Sequence, residues 1–394
     1  MKWHRTSDKD LLIRSFKFRL YPTRKQSLQM RLHLGICREL YNAALQERRD
    51  AWRLAKKSIR YLDQQNALPE VKQSRPDVAE VHSQVLQNVL QRVNLAFEGF
   101  FKRLKENKGK AGYPRFRHQD SYFSMCFSQA TKVRVEARKL HLPWYGKIKV
   151  KAHRLLQGTP KTLTLFLEND KWYASISCEM GEKPKIDLKP KTVRAIDLGL
   201  KSLVTDSQGG MIAPAKHYRS AESQLAMTSR KFAASHYKNL KLKNALKALH
   251  QKVKNQRIDF LHKLSNLLLK DTDLLGIEDL KIRNMVKSSN FSKSIYDASW
   301  GRLKIILAYK AESAGKLMIS VDPTLTSQFC SGCKTKVRKT LGERWHKCHH
   351  CCLELDRDVN AARNILARAI EQAIGTYGLE MSNLLEAPAI ASLA

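Results

Sequence analysis

The spacing of hydrophobic residues changes several times along the chain. Phe16, Phe18 and Leu20 alternate with Lys17 and Arg19, the two-residue repeat of a strand with one buried face. Tyr21-Pro22 ends it, and Thr23 with Gln26 three residues on is a capping-box pair that opens a helix running past Tyr41 and Leu45. Between about 81 and 105, Val85, Val89, Val93, Phe97 and Phe101, beside Leu86, Leu90, Phe100 and Leu104, recur at helical spacing. A polar stretch with Pro69 and Pro76 separates the two helices. The pattern predicts an α-helical unit over 24–107 and a basic linker at 105–110.

Beyond Gly112-Tyr113-Pro114-Arg115-Phe116 the period becomes two: Val133 and Val135, Leu140 and Leu142, Ile148 and Val150. Leu163, Leu165 and Leu167 continue through an Asn169-Asp170 turn into Trp172, Ala174, Ile176 and Cys178, which predicts a small antiparallel sheet or barrel over 116–182. Together with 16–20 it makes one β-domain split by the helical insertion. Pro184 and Pro190 mark a boundary. Next come a strand ending at Asp197, a Leu198-Gly199 turn, and a second strand near 202–206 closed by Gly209-Gly210. A long basic helical region spans about 220–270, with Leu240, Leu246, Leu249, Val253 and Phe260 toward a core. An apolar strand over 274–277 ends in Glu278. A helix near 298–314, a strand at 317–321 and a last helix with Val359, Ala362, Leu366 and Ile370 complete the pattern. After Arg368 there is no Lys or Arg, and residues 373–394 are expected to be a mobile tail.

Composition adds a partner class. The 394 residues carry 72 Lys+Arg against 36 Asp+Glu, a formal charge of +36. Charged residues are an ordinary 27%, so the surplus comes from scarce acids. Such a charge repels itself unless a polyanion neutralises it, which makes nucleic acid the leading partner. The basic residues occur in every region before the tail, a distribution suited to a large folded RNA with a DNA heteroduplex. The 43% of hydrophobic residues excludes a wholly disordered chain. No apolar run approaches the roughly 18 residues a spanning helix needs. The stretch Met1-Lys2-Trp3-His4-Arg5 has no apolar core after it, so no secretory signal is expected and the predicted location is cytoplasmic, at a prokaryotic nucleoid.

Of eight cysteines, Cys37, Cys126 and Cys178 stand alone and read as buried structural thiols; the other five lie between 330 and 352. Cys330 and Cys333, then Cys348 and Cys351, form C-x2-C, fourteen residues, C-x2-C, which offers four thiolates for a tetrahedral Zn²⁺. Lys334 and Cys352 stand where a small residue would ease each knuckle, and His346, His349, His350 and Cys352 are spare donors. With no group evidently left to activate water, the site reads as structural.

In a chain short of acids, an acid closing a buried apolar strand is conspicuous. Asp197 and Glu278 each do so, and Asp358 opens the helix after the cysteines. Converging, the three would hold two Mg²⁺ ions for phosphodiester chemistry. Plainer readings exist: Asp358 as a helix cap, Glu278 as a surface acid, Asp197 as a turn residue, with Asp356 and Asp279 as rival ligands.

The order of these features carries a resemblance. Arg194-Ala195-Ile196-Asp197-Leu198-Gly199-Leu200-Lys201-Ser202-Leu203 resembles the first RuvC-like motif of the TnpB family, the OrfB proteins of IS200/IS605-type insertion sequences. So do Gly276-Ile277-Glu278-Asp279-Leu280, Thr326-Ser327-Gln328-Phe329-Cys330-Ser331-Gly332-Cys333 and, most diagnostic, Leu355-Asp356-Arg357-Asp358-Val359-Asn360-Ala361-Ala362-Arg363-Asn364-Ile365. Residues 16–22, 112–116 and 255–264 are also similar to family segments, so the resemblance covers about 14–370.

It implies an RNA-guided DNA endonuclease, ancestral in type to Cas12 effectors, with guide RNA from the transposon end and target DNA as partners. The implied fold is α+β and multidomain: a β-rich wedge-like domain (1–23 and 108–190), an α-helical recognition domain (24–107), an RNase H-like (RuvC) nuclease domain (191–325 and 356–372) and an inserted zinc ribbon (326–355). The resemblance assigns Asp197, Glu278 and Asp358 to the metal site, favouring Asp358 over Asp356. Candidate nucleic-acid contacts are Lys17, Arg19, Tyr21, Lys25, Gln29, Arg257 and Lys263, with residues 82–88 on the second helix. A non-cutting RNA-guided regulator and an RNase H-fold transposase are the alternatives. The intact acids speak against the first, and no separate helix-turn-helix is evident for the second.

Overall fold

A single strand, β1 (Leu11–Tyr21), joins the start of the chain to residues more than a hundred positions later. Its Phe16, Phe18 and Leu20 pair in register with Ile176, Ala174 and Val150 of two later strands. The computed structural model describes residues 11–106, 111–136, 138–187, 189–288, 291–340, 342–379 and 385–390. Residues 1–10, 107–110 of the expected linker, and 380–384 and 391–394 of the expected tail lie outside the described residues. The chain divides into two units, Met1–Glu182 and Lys183–Ala394.

In the first unit, β1 is followed by α1 (Arg24–Ala55), opened by the capping box of Thr23 and Gln26. The stretch read as polar connection holds three short helices, α2 (Tyr61–Asn66), α3 (Leu68–Ser74) and α4 (Pro76–Ala79). Pro69 and Pro76 sit in the first turns of the last two, where an absent N–H has no intrahelical partner to lose. These prolines start helices instead of interrupting one. Next is α5 (Ser83–Lys105), then β2 (Ser124–Phe127), β3 (Arg134–Glu136), β4 (Lys139–Leu142), β5 (Gly146–Lys151), β6 (Thr159–Glu168) and β7 (Lys171–Glu182). The seven strands form one antiparallel sheet in the order β2-β6-β7-β1-β5-β4-β3. Asn169 and Asp170 both take positive φ in the β6–β7 turn. One core joins Phe16, Phe18 and Leu20 of the sheet to Met30, Leu34 and Tyr41 of α1 and Val85, Leu86 and Val89 of α5. Cys37 and Cys178 are buried and Cys126 is half-buried. Burial pushes the Cys37 thiol up to about 12, so it stays protonated.

The second unit is a sheet between helical layers. β8 (Thr192–Asp197), β9 (Val204–Asp206) and β10 (Met211–Ile212) run antiparallel in sequence. The basic region is two helices, α6 (His217–Ala234) and α7 (Leu240–Lys270), parted where His236 and Tyr237 take positive φ; Asn239 caps the second. β11 (Leu274–Glu278), α8 (Ile282–Ser288), α9 (Ser292–Ala298), α10 (Trp300–Ser313) and β12 (Leu317–Val321) follow. β13 (Trp345–Lys347), β14 (Glu354–Asp356) and α11 (Arg357–Tyr377) come after the cysteines, and β15 (Leu385–Glu386) is last. The sheet order is β10-β9-β8-β11-β12, with β8, β11 and β12 mutually parallel. Ile196, Leu275 and Ile277 point into a core with α7, α9 and α10, while Val193, Ala195 and Leu274 face α11.

The tail differs from expectation. α11 continues to Tyr377, and Leu385–Glu386 pairs parallel with Thr192 and Val193 of β8. β9 pairs only with Ile196 and Asp197 of that edge, leaving the rest for the terminal segment. Leu379, Ala387 and Ile390 are buried. The lack of basic residues hid these apolar anchors. Among the described residues no helix is long and apolar enough to cross a membrane.

Candidate active site and cysteine cluster

Parallel pairing aligns Ile196 with Ile277, so Asp197 and Glu278 follow at the same end of neighbouring strands. α11 lies directly on this face: a Cβ at Gly276 would come within 2.8 Å of the Ala369 Cβ, so only glycine allows the approach. At the head of α11, Asp356 caps the helix by accepting from the Asp358 amide at 2.7 Å. Asp358 itself stands in the first turn, and its carboxylate is not the cap. Its Oδ2 lies 3.9 Å from where a Gly199 side chain would begin, just past Asp197. The other rival, Asp279, leaves the site to pair with Lys304. Asp356 is thus the helix cap, and Asp279 an exposed acid paired to a lysine.

Burial, then the negative charges of Glu278 and Asp358, hold the Asp197 carboxyl well above the usual carboxylate range, against the Leu198 amide and Arg357. Burial also raises Glu278, opposed by the Thr326 hydroxyl, which donates to its Oε1 at 2.5 Å, and by Arg368. Two arginines flank Asp358: Arg357 Nε lies 3.3 Å from Oδ1 and Arg344 Nη1 3.7 Å from Oδ2. Arg344 was invisible to sequence reasoning. It sits in the arm before β13, and its carbonyl accepts from the Arg357 amide at 2.7 Å. A buried acid raised by two neighbouring carboxylates is stabilised by a cation, and carboxylate oxygens are hard donors suited to divalent ions.

Among the described residues only Cys330, Cys333, Cys348 and Cys351 form a group whose donor atoms all lie within 4.8 Å of one another. Cys330 to Cys351 and Cys333 to Cys348 are each 3.5 Å apart, Sγ to Sγ. The knuckles are built alike. In the first, the Lys334 amide donates to the Cys330 carbonyl at 3.0 Å; in the second, the Cys352 amide donates to that of Cys348 at 2.9 Å. Lys334 (φ 62°) and Cys352 (φ 58°) are left-handed, at the two positions where the sequence lacks a glycine. The spare donors His346, His349, His350 and Cys352 do not join the group; His346 is buried beside Lys339. Hydrogen bonds from Thr335, side chain first and then backbone, draw the Cys333 thiol down to about 5. The Leu353 amide favours a Cys351 thiolate, yet burial and the other three sulfurs push it up to about 12. Four cysteine sulfurs this close together are the donor set of a tetrahedral divalent metal.

The cluster is bolted to α11. Asn360 donates to the Phe329 carbonyl at 2.8 Å and accepts from the Ser331 amide at 2.9 Å. One turn on, Asn364 donates to the carbonyls of Thr326 and Phe329 at 2.9 and 2.7 Å.

The basic candidates separate. Lys17, Arg19 and Tyr21 share the outer face of β1: Lys17 pairs with Glu168 at 2.8 Å and lies 4.4 Å from the Tyr173 ring, while Arg19 lies 5.2 Å from the Tyr21 ring. Lys25 and Gln29 are exposed on α1. His82 caps α5 through the Gln84 amide and packs on Trp144, a local role. Arg257 is held by Asp297 at 3.0 Å and Lys263 by its helix neighbour Asp259 at 3.0 Å.

Fold and site thus define a mixed α/β protein of several sheets, with three neighbouring acids at a sheet end and a four-cysteine centre. Family models match in three places: "Probable transposase" (OrfB of IS605) over 175–289, "Cas12f1-like, TNB domain" over 300–365, and "Helix-turn-helix domain" over 12–57. The last name does not describe the backbone, which there forms β1 and one uninterrupted helix. A Streptomyces pristinaespiralis protein named "Putative RNA-guided DNA endonuclease" is 32% identical over 91% of this chain and 89% of its own length. "Putative RNA-guided DNA endonuclease InsQ" of Escherichia coli K12 is 29% identical over 90% and 92%. The solved structure of "the mini-RNA-guided endonuclease CRISPR-Cas_phi3" shares the fold at a TM-score of 0.50 and 10% identity, covering 92% of this chain and 93% of that one. The chain belongs to the TnpB (IS605 OrfB) family.

Proposed function

We propose that the chain is an RNA-guided DNA endonuclease that hydrolyses phosphodiesters at Asp197, Glu278 and Asp358. The observation that carries this is the gathering of three acids from β8, β11 and α11 at one end of a parallel sheet, where Glu278 and Asp358 hold the Asp197 carboxyl up. Three antiparallel strands followed by two parallel ones support an RNase H-like, RuvC-type domain over 191–325 and 356–372. The cysteine hairpin at 326–355 is its zinc ribbon, and 1–23 with 108–190 and 24–107 are the wedge and recognition parts.

The three carboxylates would hold two Mg²⁺ ions, which supply water activation and charge neutralisation at the leaving oxygen. The chain's own part is preparation. Thr326 orients Glu278, Asp356 caps the helix that presents Asp358, and Gly199 admits the Ser202 carbonyl, 2.7 Å from where a side chain would begin, in the turn after Asp197. Arg344 and Arg357 steady Asp358 and offer positive charge to the scissile phosphate. The basic surplus holds a guide RNA, encoded at the transposon end, and the DNA paired to it, in the cytoplasm at the nucleoid.

The test is purification after co-expression with the adjoining transposon end. RNA should co-purify, and the complex should cut matched DNA only with a divalent metal. Bound but uncut DNA would instead indicate a regulator, and joined strands a transposase.

A further inference from the structure

Beside the turn that leaves Asp197, the second unit holds a cavity of about 530 Å³. Its walls are apolar, with Leu200 and Leu203 from that turn and Phe260 and Leu261 from α7. Polar and charged side chains interrupt them, among them Asp297, Arg257 and His217. Asp297 accepts from the Tyr218 and Arg219 amides at 2.9 and 3.2 Å, which fixes it, and it in turn holds one Nη of Arg257 at 3.0 Å. The rest of that guanidinium has no partner among the described residues; its Nε is shielded and unpaired. His217 makes no hydrogen bond among the described residues and sets its ring edge-on to Phe260, centroids 5.9 Å apart. Lys201 and Lys216 at the lining are exposed and carry no ion pair among the described residues.

An arginine immobilised before any ligand arrives has already lost its rotamer entropy, so its remaining N–H edge binds at little further cost. Aromatic and aliphatic walls suit a planar, weakly polar body, and unpaired lysines suit an attached anion. The volume lies within the roughly 300–1,000 Å³ of small-ligand sites and excludes a duplex. We propose that this cavity takes one unpaired nucleotide of the DNA strand being cut. Its base lies against Phe260 and Arg257 and its phosphate at Lys201 and Lys216, which sets the strand's register at Asp197. This rests on the endonuclease reading.

The experiment uses the guide-RNA complex and target DNAs with one abasic site walked across the cut. Base–aromatic stacking is worth about 1–3 kcal/mol, so one position should slow cutting by about 5- to 150-fold while its neighbours change little. Ser294→Phe, which fills the cavity, should slow unmodified DNA and remove the extra penalty at that position. A flat wild-type profile, or an unchanged dip in Ser294→Phe, overturns the proposal. Should Ser294→Phe not fold, 5-iodouracil at the sensitive position in the Asp197→Ala complex decides. A photocrosslink to the peptide carrying Phe260 supports the proposal; one elsewhere, or capture of that peptide by 4-thiouridine in the guide, overturns it. A complex that cuts no DNA sinks the endonuclease reading itself, whereas one that cuts with a flat profile sinks only the cavity.

Discussion

The second unit carries two clusters of potential anions that solve the same electrostatic problem differently. The cysteines are closed: four sulfurs within 4.8 Å, each knuckle tied by backbone hydrogen bonds, no rival donor admitted. The carboxylates are open: three acids on separate elements, Glu278 bonded by a threonine and Asp358 flanked by two arginines, with burial raising Asp197 and Glu278. A closed set binds one ion for structure, and an open set leaves coordination sites for water and phosphate. The difference makes the open cluster the proposed seat of the chemistry, although the same helix, α11, touches both.

The largest effect that would break this contrast comes from the open cluster. Asp197→Ala and Glu278→Gln should each lower the cutting rate by at least about 10³-fold, since losing a metal ligand forfeits several kcal/mol of transition-state stabilisation. Single-turnover cleavage of matched DNA checks this, with RNA co-purification unchanged. Normal cutting by either variant would remove that acid from the site.

Next in size is the closed cluster. Cys330→Ser should lose the bound metal, measured by elemental analysis, and should also slow cutting. The ribbon reaches the carboxylates through Thr326, Asn360 and Asn364. Asn360→Ala, which leaves all four sulfurs, should cut about 10- to 100-fold more slowly with full metal content. Full activity in Asn360→Ala would show the two clusters to be independent.

Sequence periodicity carried the two long helices and the β8 and β11 strands, and ligand spacing carried the cysteine cluster, because each rests on local signals: a capping box, alternation, C-x2-C spacing. Arg344 was illegible because its value lies in a loop folding back on Asp358 from fourteen positions upstream. The tail failed for the same reason: Ile390 is ordered by the Asp206 carboxylate and Leu385 by an unoccupied strand edge, and neither partner is near in sequence. The cavity at Arg257 is likewise made by three elements that no spacing rule connects.

The raised acids give a prediction of intermediate size. Metal binding needs Asp197 and Glu278 ionised, so the cutting rate should climb with pH through their elevated values, and more Mg²⁺ should move that limb to lower pH. The folding sign is the reverse. A carboxyl raised in the fold binds its proton more tightly there, so its favourable contribution holds at low pH and is lost as pH rises past the unfolded value. Asp197→Asn should therefore raise the metal-free Tm by about 2–4 °C at neutral pH per kcal/mol of repulsion removed, while abolishing cutting. An unchanged or lower Tm would mean that the crowding of acids costs the fold nothing.

The smallest effect separates the two knuckles of the closed cluster. Lys334 and Cys352 share a left-handed backbone, which costs a residue with a Cβ about 1–2 kcal/mol. Glycine removes that cost but adds unfolded-chain entropy of about 0.4–1 kcal/mol. At Cys352, exposed and outside the sulfur group, relief should win, and Cys352→Gly should gain a few tenths of a kcal/mol with metal content unchanged. At Lys334 a third quantity enters: its Nζ donates to Asn364 Oδ1 at 3.2 Å, a bond worth about 0.5–1.5 kcal/mol that also ties the knuckle to α11. Lys334→Gly should therefore gain nothing and should slow cutting slightly. Thermal melts of both variants with metal bound distinguish the cases. If Cys352→Gly loses metal, the fifth cysteine is a ligand after all, and the closed cluster is less closed than its geometry says.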